Sequence, residues 1–244
     1  MPRVLVTGAS RGVGLAIARR LARAGFEVTA LARSQGAPLS EAIEEARAAG
    51  HGEIAFIPFD LADVAAIAPL VRELKRKSGP LFGLVNNAGI GGEGLLANMA
   101  NAAIESLVQV NTLSPIILTK FVARGMMAAG EGRIVNVSSI MAHTGYGGLS
   151  VYAATKASMI GFTRSLAREV GGLGVTVNAV APGFLDTEMT QGLGEEGRAR
   201  VVRRSALRRL AGVEDVAAAV EFLLGEGGRN ITGTVMTIDA GATA

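Results

Sequence analysis

The chain contains no cysteine, and this absence excludes several kinds of site. Disulfides, thiolate zinc centres and a cysteine nucleophile all require the thiol group. A chain without cysteine fits a reducing compartment, and we expect a cytoplasmic location. Only two histidines are present, His51 and His143. A histidine metal site and a Ser-His-Asp triad both need imidazole or carboxylate neighbours that converge, and these two positions do not suggest such neighbours, so we expect no metal.

Charge and long apolar runs are also scarce. Charged residues make up 18% of the chain, and 24 Lys and Arg against 21 Asp and Glu leave a net charge of +3. This mild balance does not predict nucleic-acid binding. The uncharged run 134–155 is long enough to span a membrane, but Asn, Ser, His, Tyr and Gly interrupt it, and the first residues lack a signal-peptide pattern. We expect no membrane segment.

Hydrophobic residues and glycine are abundant, at 49% of the chain and 33 residues respectively. Short apolar runs alternate with amphipathic stretches, a pattern that indicates parallel strands buried on both faces and joined by right-handed crossovers. No repeat or linker divides the chain. We therefore predict one α/β domain over residues 1–244, a doubly wound parallel sheet (Rossmann fold) with helices on both faces. The predicted strands are Val4–Val6, Val28–Leu31, Ile54–Ile57, Gly83–Asn86, Arg133–Val137, Val175–Val180 and Val235–Ile238.

A glycine-rich turn, Thr7-Gly8-Ala9-Ser10-Arg11-Gly12-Val13-Gly14, follows the first predicted strand and leads into a predicted helix, Leu15–Ala24. Glycine permits a tight turn and a close backbone approach, while unpaired N–H groups at a helix N-terminus bind pyrophosphate. The spacing G-x-x-x-G-x-G departs from G-x-G-x-x-G, and a plain turn is the alternative. The position between strand and helix favours a phosphate site formed by Gly8, Ser10, Arg11, Gly12, Val13 and Gly14.

The residues after the second and third strands predict which dinucleotide binds. A fold that selects NAD usually has an acidic residue after the second strand for the ribose 2′-OH, but this chain has Arg33 there. Arg33 and Arg11 suit a 2′-phosphate, since guanidinium binds phosphate bidentately, so we expect NADP(H). The alternative for Arg33 is a solvated charge. Asp60, followed by Leu61, either accepts a hydrogen bond from the adenine amine or caps a helix that begins near Ala62.

The pattern with the most chemical meaning is Ser139, Tyr152 and Lys156. Tyr152 and Lys156 are four residues apart and share a helix face, with Cβ atoms about 5–6 Å apart. A phenol with a pKa of ~10 is a poor acid near neutral pH, and we expect the nearby Lys156 and a cationic nicotinamide together to lower that pKa. Asn111 interrupts an apolar helical stretch, where it either has a structural role or holds a water near the chemistry. For Asn86-Asn87-Ala88-Gly89, turn formation alone is the alternative to a binding role.

Together these residues resemble the short-chain dehydrogenase/reductase family over nearly the whole chain. The resemblance rests on motifs in the family's order and spacing: Thr7–Gly14, Asn86–Gly89, Asn111, Ser139, Tyr152, Lys156 and Pro182-Gly183. Within the family the chain is most similar to the 3-oxoacyl-(acyl carrier protein) reductases of fatty acid biosynthesis. That similarity lies in Val151–Ala157, Leu166–Glu169 and Val177–Phe184.

The resemblance implies an NADPH-dependent reductase that converts a ketone, a 3-oxoacyl thioester in this branch, to a secondary alcohol. Tyr152 would donate the proton, and Ser139 would orient the carbonyl. Ser138 is the competing serine, but the twelve residues between Ser139 and Tyr152 match the family spacing. Lys156 would bind the nicotinamide ribose and lower the phenol pKa, and Asn111 would hold a water that connects Lys156 to solvent. The resemblance also implies a homotetramer and cofactor contacts at Asn87, Ala88, Gly89, Tyr152, Pro182, Gly183 and Thr187.

Six arginines occur at positions 198, 200, 203, 204, 208 and 209. We predict an amphipathic lid helix over Arg198–Arg209, whose charged side is either solvated or faces an acidic partner such as an acyl carrier protein or a coenzyme A phosphate. One observation argues against binding of an acyl carrier protein: Gly171-Gly172-Leu173 stands where this branch often has a basic residue.

We predict that His143 borders the substrate cleft, and we assign no function to His51. Two other functions remain open, an alcohol or sugar dehydrogenase with the same site and a catalytically silent dinucleotide sensor.

Overall fold

The structure, a computed structural model, describes residues 1–50, 52–185 and 194–244, and within them seven parallel strands form one sheet. The strands are β1 (Arg3–Thr7), β2 (Glu27–Ala32), β3 (Glu53–Pro58), β4 (Gly83–Asn86), β5 (Gly132–Val137), β6 (Val175–Pro182) and β7 (Val235–Ile238). Their order in the sheet is β3-β2-β1-β4-β5-β6-β7. Each matches a predicted strand to within two residues at either end, and the doubly wound parallel sheet is confirmed. The strand order reverses between β1 and β4, where ligands bind in such sheets.

The two faces of the sheet carry separate apolar cores because side chains alternate along each strand. Val4 and Val6 point into one core and Leu5 into the other, and all three are fully buried. The helices are α1 (Gly12–Arg23), α2 (Gly36–Ala49), α3 (Val64–Ser78), α4 (Asn101–Val108), α5 (Ser114–Ala129), α6 (Ser150–Val170), α7 (Gly194–Arg204) and α8 (Val213–Leu224). Helices α1, α2 and α8 cover the first face, and α3, α5 and α6 cover the second.

Two predicted helices have different bounds in the structure. Helix α1 begins at Gly12 rather than Leu15, because Gly12 has the left-handed φ of +56° that turns the chain directly into the helix. The arginine-rich helix α7 begins at Gly194 rather than Arg198 and ends at Arg204 rather than Arg209. Arg208 has a left-handed φ of +54°, which a helix cannot contain. The hydroxyl of Ser205 binds the resulting turn to the C-terminal segment, donating to the carbonyl of Ala240 at 2.7 Å.

The helical stretch Asn101–Ala129 is long and apolar enough to cross a membrane by length and composition, with a mean hydropathy of 1.2 over its window. It comprises α4, a π-helical turn at Gln109–Leu113 and α5. Much of it is buried within the fold, where Leu118 and Met126 belong to the core under the sheet. A buried core helix of a soluble protein meets the same two criteria, so the stretch is weak evidence for a membrane span.

Candidate active site

Helix α6 places Tyr152 and Lys156 beside the carboxyl end of β5. Lys156 is 6% exposed, and its Nζ donates a hydrogen bond to the main-chain carbonyl of Val137 at 3.0 Å. The same Nζ lies 5.7 Å from the centroid of the Tyr152 ring. The i, i+4 spacing therefore does bring the ammonium and the phenol to one face of the helix, as predicted from the sequence.

The two adjacent serines at the end of β5 have different partners. Ser138 donates its hydroxyl to the main-chain carbonyl of Lys156 at 2.8 Å and is buried. Ser139 lies beside the Tyr152 phenol and acts to lower its pKa, and the Ser139 Oγ accepts from the N–H of Met141 at 3.2 Å. Successive residues of an extended chain point to opposite sides, so only one of the two serines faces the phenol. That serine is Ser139.

Burial sets the protonation of both groups. It lowers the pKa of the Lys156 ammonium to about 8, because the charged form loses its hydration. Burial also raises the pKa of the Tyr152 phenol above its ordinary value, and Ser139 offsets only part of this effect. The expectation that Lys156 lowers the phenol pKa is therefore wrong for the protein groups alone. Desolvation of the phenolate is the larger effect.

Asn111 lies in the π-helical turn between α4 and α5 and is 3% exposed. Its Oδ1 accepts from the N–H of Ile90 at 2.8 Å, and its Nδ2 donates to the carbonyl of the same residue at 2.9 Å. A Cβ added at Gly89 would lie 3.2 Å from Asn111 Oδ1 and 3.4 Å from Lys156 Nζ. Asn111 and Lys156 thus border one small space next to Gly89. Single π-helical turns are frequent at functional sites.

The hydroxyl of Thr7 joins the end of β1 to the chain that follows β4. It accepts hydrogen bonds from the main-chain N–H groups of Asn87 at 3.0 Å and Ala88 at 2.9 Å. The Asn87 side chain donates in turn to the carbonyls of Thr7 at 2.8 Å and Gly8 at 3.3 Å. Asn87 therefore uses its amide hydrogens to hold the glycine-rich turn. Sequence reasoning missed Thr7, whose only signal is a hydroxyl residue at the end of a buried apolar strand.

Three glycines shape the turn between β1 and α1. A Cβ at Gly14 would lie 2.3 Å from the Gly8 carbonyl oxygen and 2.5 Å from Asn87 Nδ2. Gly8 has a φ of +67°, and a Cβ there would lie 2.9 Å from Ala88 Cα. At Gly12 no described atom lies within 4 Å of the Cβ position. The turn is thus packed tightly on one side and open on the other.

The N-terminus of α1 keeps its main-chain donors free. No side chain among the described residues caps it, and its first turn contains no acidic residue. The first N–H groups of a helix lack internal partners and carry the positive end of the helix dipole. Val13 is half-buried at this end, while Ser10 and Arg11 flank it. A negatively charged phosphate is the ligand that such an end binds.

Two exposed arginines, Arg11 and Arg33, lie at the carboxyl ends of β1 and β2. Neither has an ion-pair partner in the part of the chain that the structure describes. Because β1 and β2 are paired in parallel, with Thr7 opposite Leu31, the residues that follow them share one edge of the sheet. Both guanidinium groups are thus available to an anion.

Two aspartates follow β3, Asp60 and Asp63, and only one of them caps the next helix. Asp60 is exposed, and its Oδ1 accepts from the N–H of Ala62 at 2.9 Å within a turn. Helix α3 begins at Val64, and Asp63 caps it by accepting from the N–H of Ala66 at 3.1 Å. The alternative that Asp60 caps this helix is therefore wrong. Leu61 is 8% exposed and packs in the core.

At the end of β6, Gly183 packs directly on the C-terminal segment. Its N–H donates to the carbonyl of Ile238 at 2.9 Å, and a Cβ there would lie 2.6 Å from Asp239 Cβ. Pro182 is the last residue of the strand. Thr187, like His51, lies outside the described residues. His143 is exposed directly after the 3₁₀ turn Ile140–Ala142, so it follows the same strand end as Ser139.

The model of the short chain dehydrogenase family matches residues 2–198. This chain belongs to that family. The match covers all of the sheet up to β6 as well as Asn111, Ser139, Tyr152 and Lys156. The resemblance seen in the sequence is thereby confirmed.

Individual members of the short-chain dehydrogenase family are similar along nearly the whole chain. The 3-oxoacyl-(acyl carrier protein) reductase of Escherichia coli K12 is 39% identical over 238 residues, which cover 97% of this chain and 95% of the relative. The acetoacetyl-CoA reductase of Allochromatium vinosum is 37% identical over 237 residues, with 97% and 96% coverage. A short chain dehydrogenase from Burkholderia cenocepacia, whose crystal structure was solved in complex with NADP, is 38% identical in sequence and superposes with a TM-score of 0.90. The match covers 100% of this chain and 98% of that chain.

Proposed function

We propose that this chain is an NADPH-dependent reductase that converts a 3-oxoacyl thioester to the 3-hydroxyacyl thioester. The observation that carries the proposal is the contact between Ser139 and Tyr152 at the carboxyl edge of the sheet, with the buried Lys156 ammonium beside the phenol. The relatives named above support the thioester, because one is named as a reductase of a carrier-linked and another of a coenzyme A-linked 3-oxoacyl group. The relatives named above favour the thioester over a sugar, and no observation on the described residues favours a silent sensor.

The residues of the first turn fit NADPH. The open side at Gly12 and the uncapped N-terminus of α1 give the pyrophosphate a place to bind main-chain N–H groups. Arg11 and Arg33 provide unpaired guanidinium groups for the 2′-phosphate. The remaining contacts of this proposal are Gly8, Ser10, Val13, Gly14, Asp60, Leu61, Asn87, Ala88, Gly89, Pro182, Gly183 and Thr187.

NADPH supplies the hydride when it is bound. Tyr152 donates the proton to the carbonyl oxygen, and its raised pKa keeps the phenol protonated throughout the neutral range. Ser139 orients that oxygen by a hydrogen bond. Lys156 binds the ribose hydroxyls of the cofactor and returns a proton to Tyr152 after the reaction. Its pKa of about 8 suits proton transfer near neutral pH.

Asn111 completes the proposed site as the holder of a water molecule. Its Nδ2 and one side of its Oδ1 are bound to Ile90, and Oδ1 retains a second lone pair next to the space at Gly89. A water bound there would lie close to Lys156 and would connect the ammonium to solvent. The chain of proton donors would then run from solvent through Lys156 to Tyr152.

The acyl carrier is proposed on the basis of charge. Arginines 200, 203, 204, 208 and 209 are exposed at and after the end of α7, and none of them has an ion-pair partner among the described residues. Five unpaired cations on one segment attract an acidic partner such as an acyl carrier protein. We further propose a homotetramer in the cytoplasm, on the resemblance to the 3-oxoacyl-(acyl carrier protein) reductases.

Turnover of a panel of carbonyl compounds tests the function. NADPH oxidation is followed by absorbance with acetoacetyl-CoA, a carrier-linked 3-oxoacyl group, a diketone, a neutral ketone and a keto-sugar. We expect kcat/KM to be highest for the two thioesters. Activity confined to the keto-sugar or to the neutral ketone would overturn the substrate while leaving an NADPH-dependent reductase, and the absence of turnover with every member would overturn the function.

A further inference from the structure

Two hydrogen-bonded side-chain pairs join the π-helical turn Gln109–Leu113 to α6. In the first pair, Asn111 Nδ2 donates to Thr155 Oγ1 at 3.2 Å, and this hydroxyl donates to the main-chain carbonyl of Tyr152 at 2.7 Å. In the second, the hydroxyls of Thr112 and Ser158 lie 2.9 Å apart, and Ser158 donates to the carbonyl of Thr155 at 2.6 Å. Each pair ends at a main-chain carbonyl of α6, and only the first touches Asn111.

Thr155 is the third partner of the Asn111 side chain. The other two are the N–H and the carbonyl of Ile90, which fix Oδ1 and one hydrogen of Nδ2. The second Nδ2 hydrogen is directed to Thr155. An amide with both hydrogens and one lone pair occupied has a single orientation, so the free lone pair of Oδ1 has a fixed direction as well.

Burial makes the Thr155 hydroxyl difficult to replace. Asn111 and Thr155 are each 3% exposed, so solvent does not substitute for a lost partner. A buried amide hydrogen without an acceptor is energetically unfavourable, and the side chain would turn or shift to find another. Any such turn would move Oδ1, which lies beside Lys156 at the Gly89 space.

We propose that Thr155 is a positioning residue of the active site, whose hydroxyl holds the Asn111 amide in register with Tyr152 and Lys156. Thr155 precedes Lys156 directly and is bonded to the carbonyl of Tyr152, so it moves with the helix that carries both groups. Asn111 belongs to a different element, and Thr155 ties it to that helix. This inference rests on the proposed function for its kinetic consequence, but not for the hydrogen bond itself.

The variant Thr155→Val tests the proposal, because valine keeps the shape of threonine and lacks the hydroxyl. We expect kcat to fall about tenfold, since a small misplacement of a reacting group lowers the rate strongly. The KM for NADPH should stay within about twofold, because the Thr155 hydroxyl bonds only to the Asn111 amide and to the main-chain carbonyl of Tyr152, and neither group binds the cofactor in the proposal. Thr155→Ser retains the hydroxyl and should restore kcat. Thr155→Ala, which removes the hydroxyl without a second methyl group, replaces the valine variant if that one does not fold.

Ser158→Ala is the matched control. It breaks the second pair, which joins the same two elements, but leaves Asn111 untouched. If Thr155 acts only by fastening the π-helical turn, both variants will lower kcat to the same extent, and the proposal is overturned. It is equally overturned if Thr155→Val retains half or more of the wild-type kcat, or if Thr155→Ser restores nothing.

A readout without turnover separates this inference from the proposed function. The side-chain amide of Asn111 gives a pair of ¹H–¹⁵N resonances, assigned by comparison with Asn111→Asp. We expect these resonances to shift and to exchange faster with solvent in Thr155→Val, and to stay unchanged in Ser158→Ala. An unchanged Asn111 amide in Thr155→Val would overturn the positioning role whether or not the wild type reduces a thioester. If the Asn111 amide shifts in Thr155→Val as expected but the wild type reduces no thioester, only the proposed function is overturned.

Discussion

Lys156 and Val137 are joined by a hydrogen bond from the ammonium to the main-chain carbonyl at 3.0 Å, which fastens α6 to the end of β5. At its other end the same lysine accepts the Ser138 hydroxyl on its main-chain carbonyl at 2.8 Å. The lysine is thus held both by its backbone and by its side chain. One of its three N–H donors is occupied, and two remain for a ligand. The same bond offsets part of the cost of burying the charge.

Replacing Tyr152 with Phe should remove nearly all turnover and leave NADPH binding within about twofold of the wild type, because only the transferable proton is lost. The measurements are kcat by NADPH oxidation and the Kd by NADPH fluorescence. Tyr146→Phe is the matched control, since Tyr146 is the chain's other tyrosine and is half exposed against Phe184. If the Tyr152 variant kept a tenth or more of kcat, a loss below about 1.4 kcal/mol, Tyr152 would not be the acid.

Lys156→Met should stabilise the fold at pH 7 while abolishing activity. The pKa of Lys156 falls from 10.5 to about 8 on folding, so its charge destabilises the folded state by about 3 kcal/mol at any pH below 8. The methionine variant also loses the hydrogen bond to Val137, which lowers its stability by about 1–2 kcal/mol. The unfolding free energy of Lys156→Met should therefore exceed that of the wild type by about 1–2 kcal/mol.

The pH dependence of that difference provides the check. Between pH 8 and 10.5 the unfolded chain binds more protons at this lysine than the folded protein does, so the wild type gains stability as the pH rises. The advantage of Lys156→Met should therefore be full below pH 8 and decline toward pH 10.5 in urea unfolding at a fixed protein concentration. A constant difference across this window would contradict the lowered pKa.

Alanine at Gly14 should harm the protein far more than alanine at Gly12. The Cβ at Gly14 would meet the Gly8 carbonyl oxygen at 2.3 Å, so the turn must move and the cradle for phosphate is lost. In the free protein the cost at Gly12 is the left-handed φ of +56°, about 1–2 kcal/mol. We expect Gly12→Ala to lower the unfolding free energy by that amount and Gly14→Ala to lower it by far more, while both variants weaken NADPH binding, because a methyl group at Gly12 would enter the open side of the turn. Equal losses of unfolding free energy in the two variants would contradict the tight packing at Gly14.

Arg33→Asp should move the cofactor preference from NADPH toward NADH. An aspartate binds the ribose 2′-OH and repels a 2′-phosphate, so the attractive and the repulsive change act together. The measurement is kcat/KM for both cofactors. Arg72→Asp, at an exposed arginine of α3, makes the same change in net charge and should leave the preference as it is. If the wild type already favoured NADH, Arg33 would not select the 2′-phosphate.

Much of the fold could be predicted because burial restricts which residue types occur along each strand and turn. Strands covered on both faces must be apolar throughout, as in Val4–Val6, and the turn residues between them are glycines with few alternatives. The pair Tyr152 and Lys156 could be predicted because helical spacing alone puts them together. The choice of Ser139 over Ser138 followed from spacing, and the structure gives the reason in the alternation of the chain at the end of β5.

What could not be predicted depends on contacts between distant parts of the chain. The Tyr152 pKa rises because of packing around the phenol, which no local pattern records. Asp60 and Asp63 are both plausible caps by residue type, and only the helix start at Val64 decides between them. Helix α7 ends at Arg204, and Arg208 adopts a left-handed conformation in the turn that follows, although the sequence favours a longer helix. The Ser205 hydroxyl supports this turn through its bond to the C-terminal segment.

The arginines at the end of α7 offer the test of a carrier partner. If they attract an acidic carrier protein, kcat/KM for a carrier-linked substrate should fall steeply as ionic strength rises, because charge-steered association is screened over a Debye length of about 10 Å at 0.1 M. A short neutral ketone should not respond. Replacing Arg203, Arg204, Arg208 and Arg209 with Gln should lower the carrier-linked rate and flatten its salt dependence.

The matched control removes four positive charges from α3 instead, at Arg72, Lys75, Arg76 and Lys77. The end of α3 is bound to Arg3 at the start of β1, on the edge of the sheet opposite the active site, so its cations should not steer a carrier toward the cleft. Both variants change the net charge by the same amount. If the two lowered the carrier-linked kcat/KM equally, net charge alone would account for the effect. If the α7 variant changed nothing, its arginines would be a solvated surface and the carrier would have to dock elsewhere.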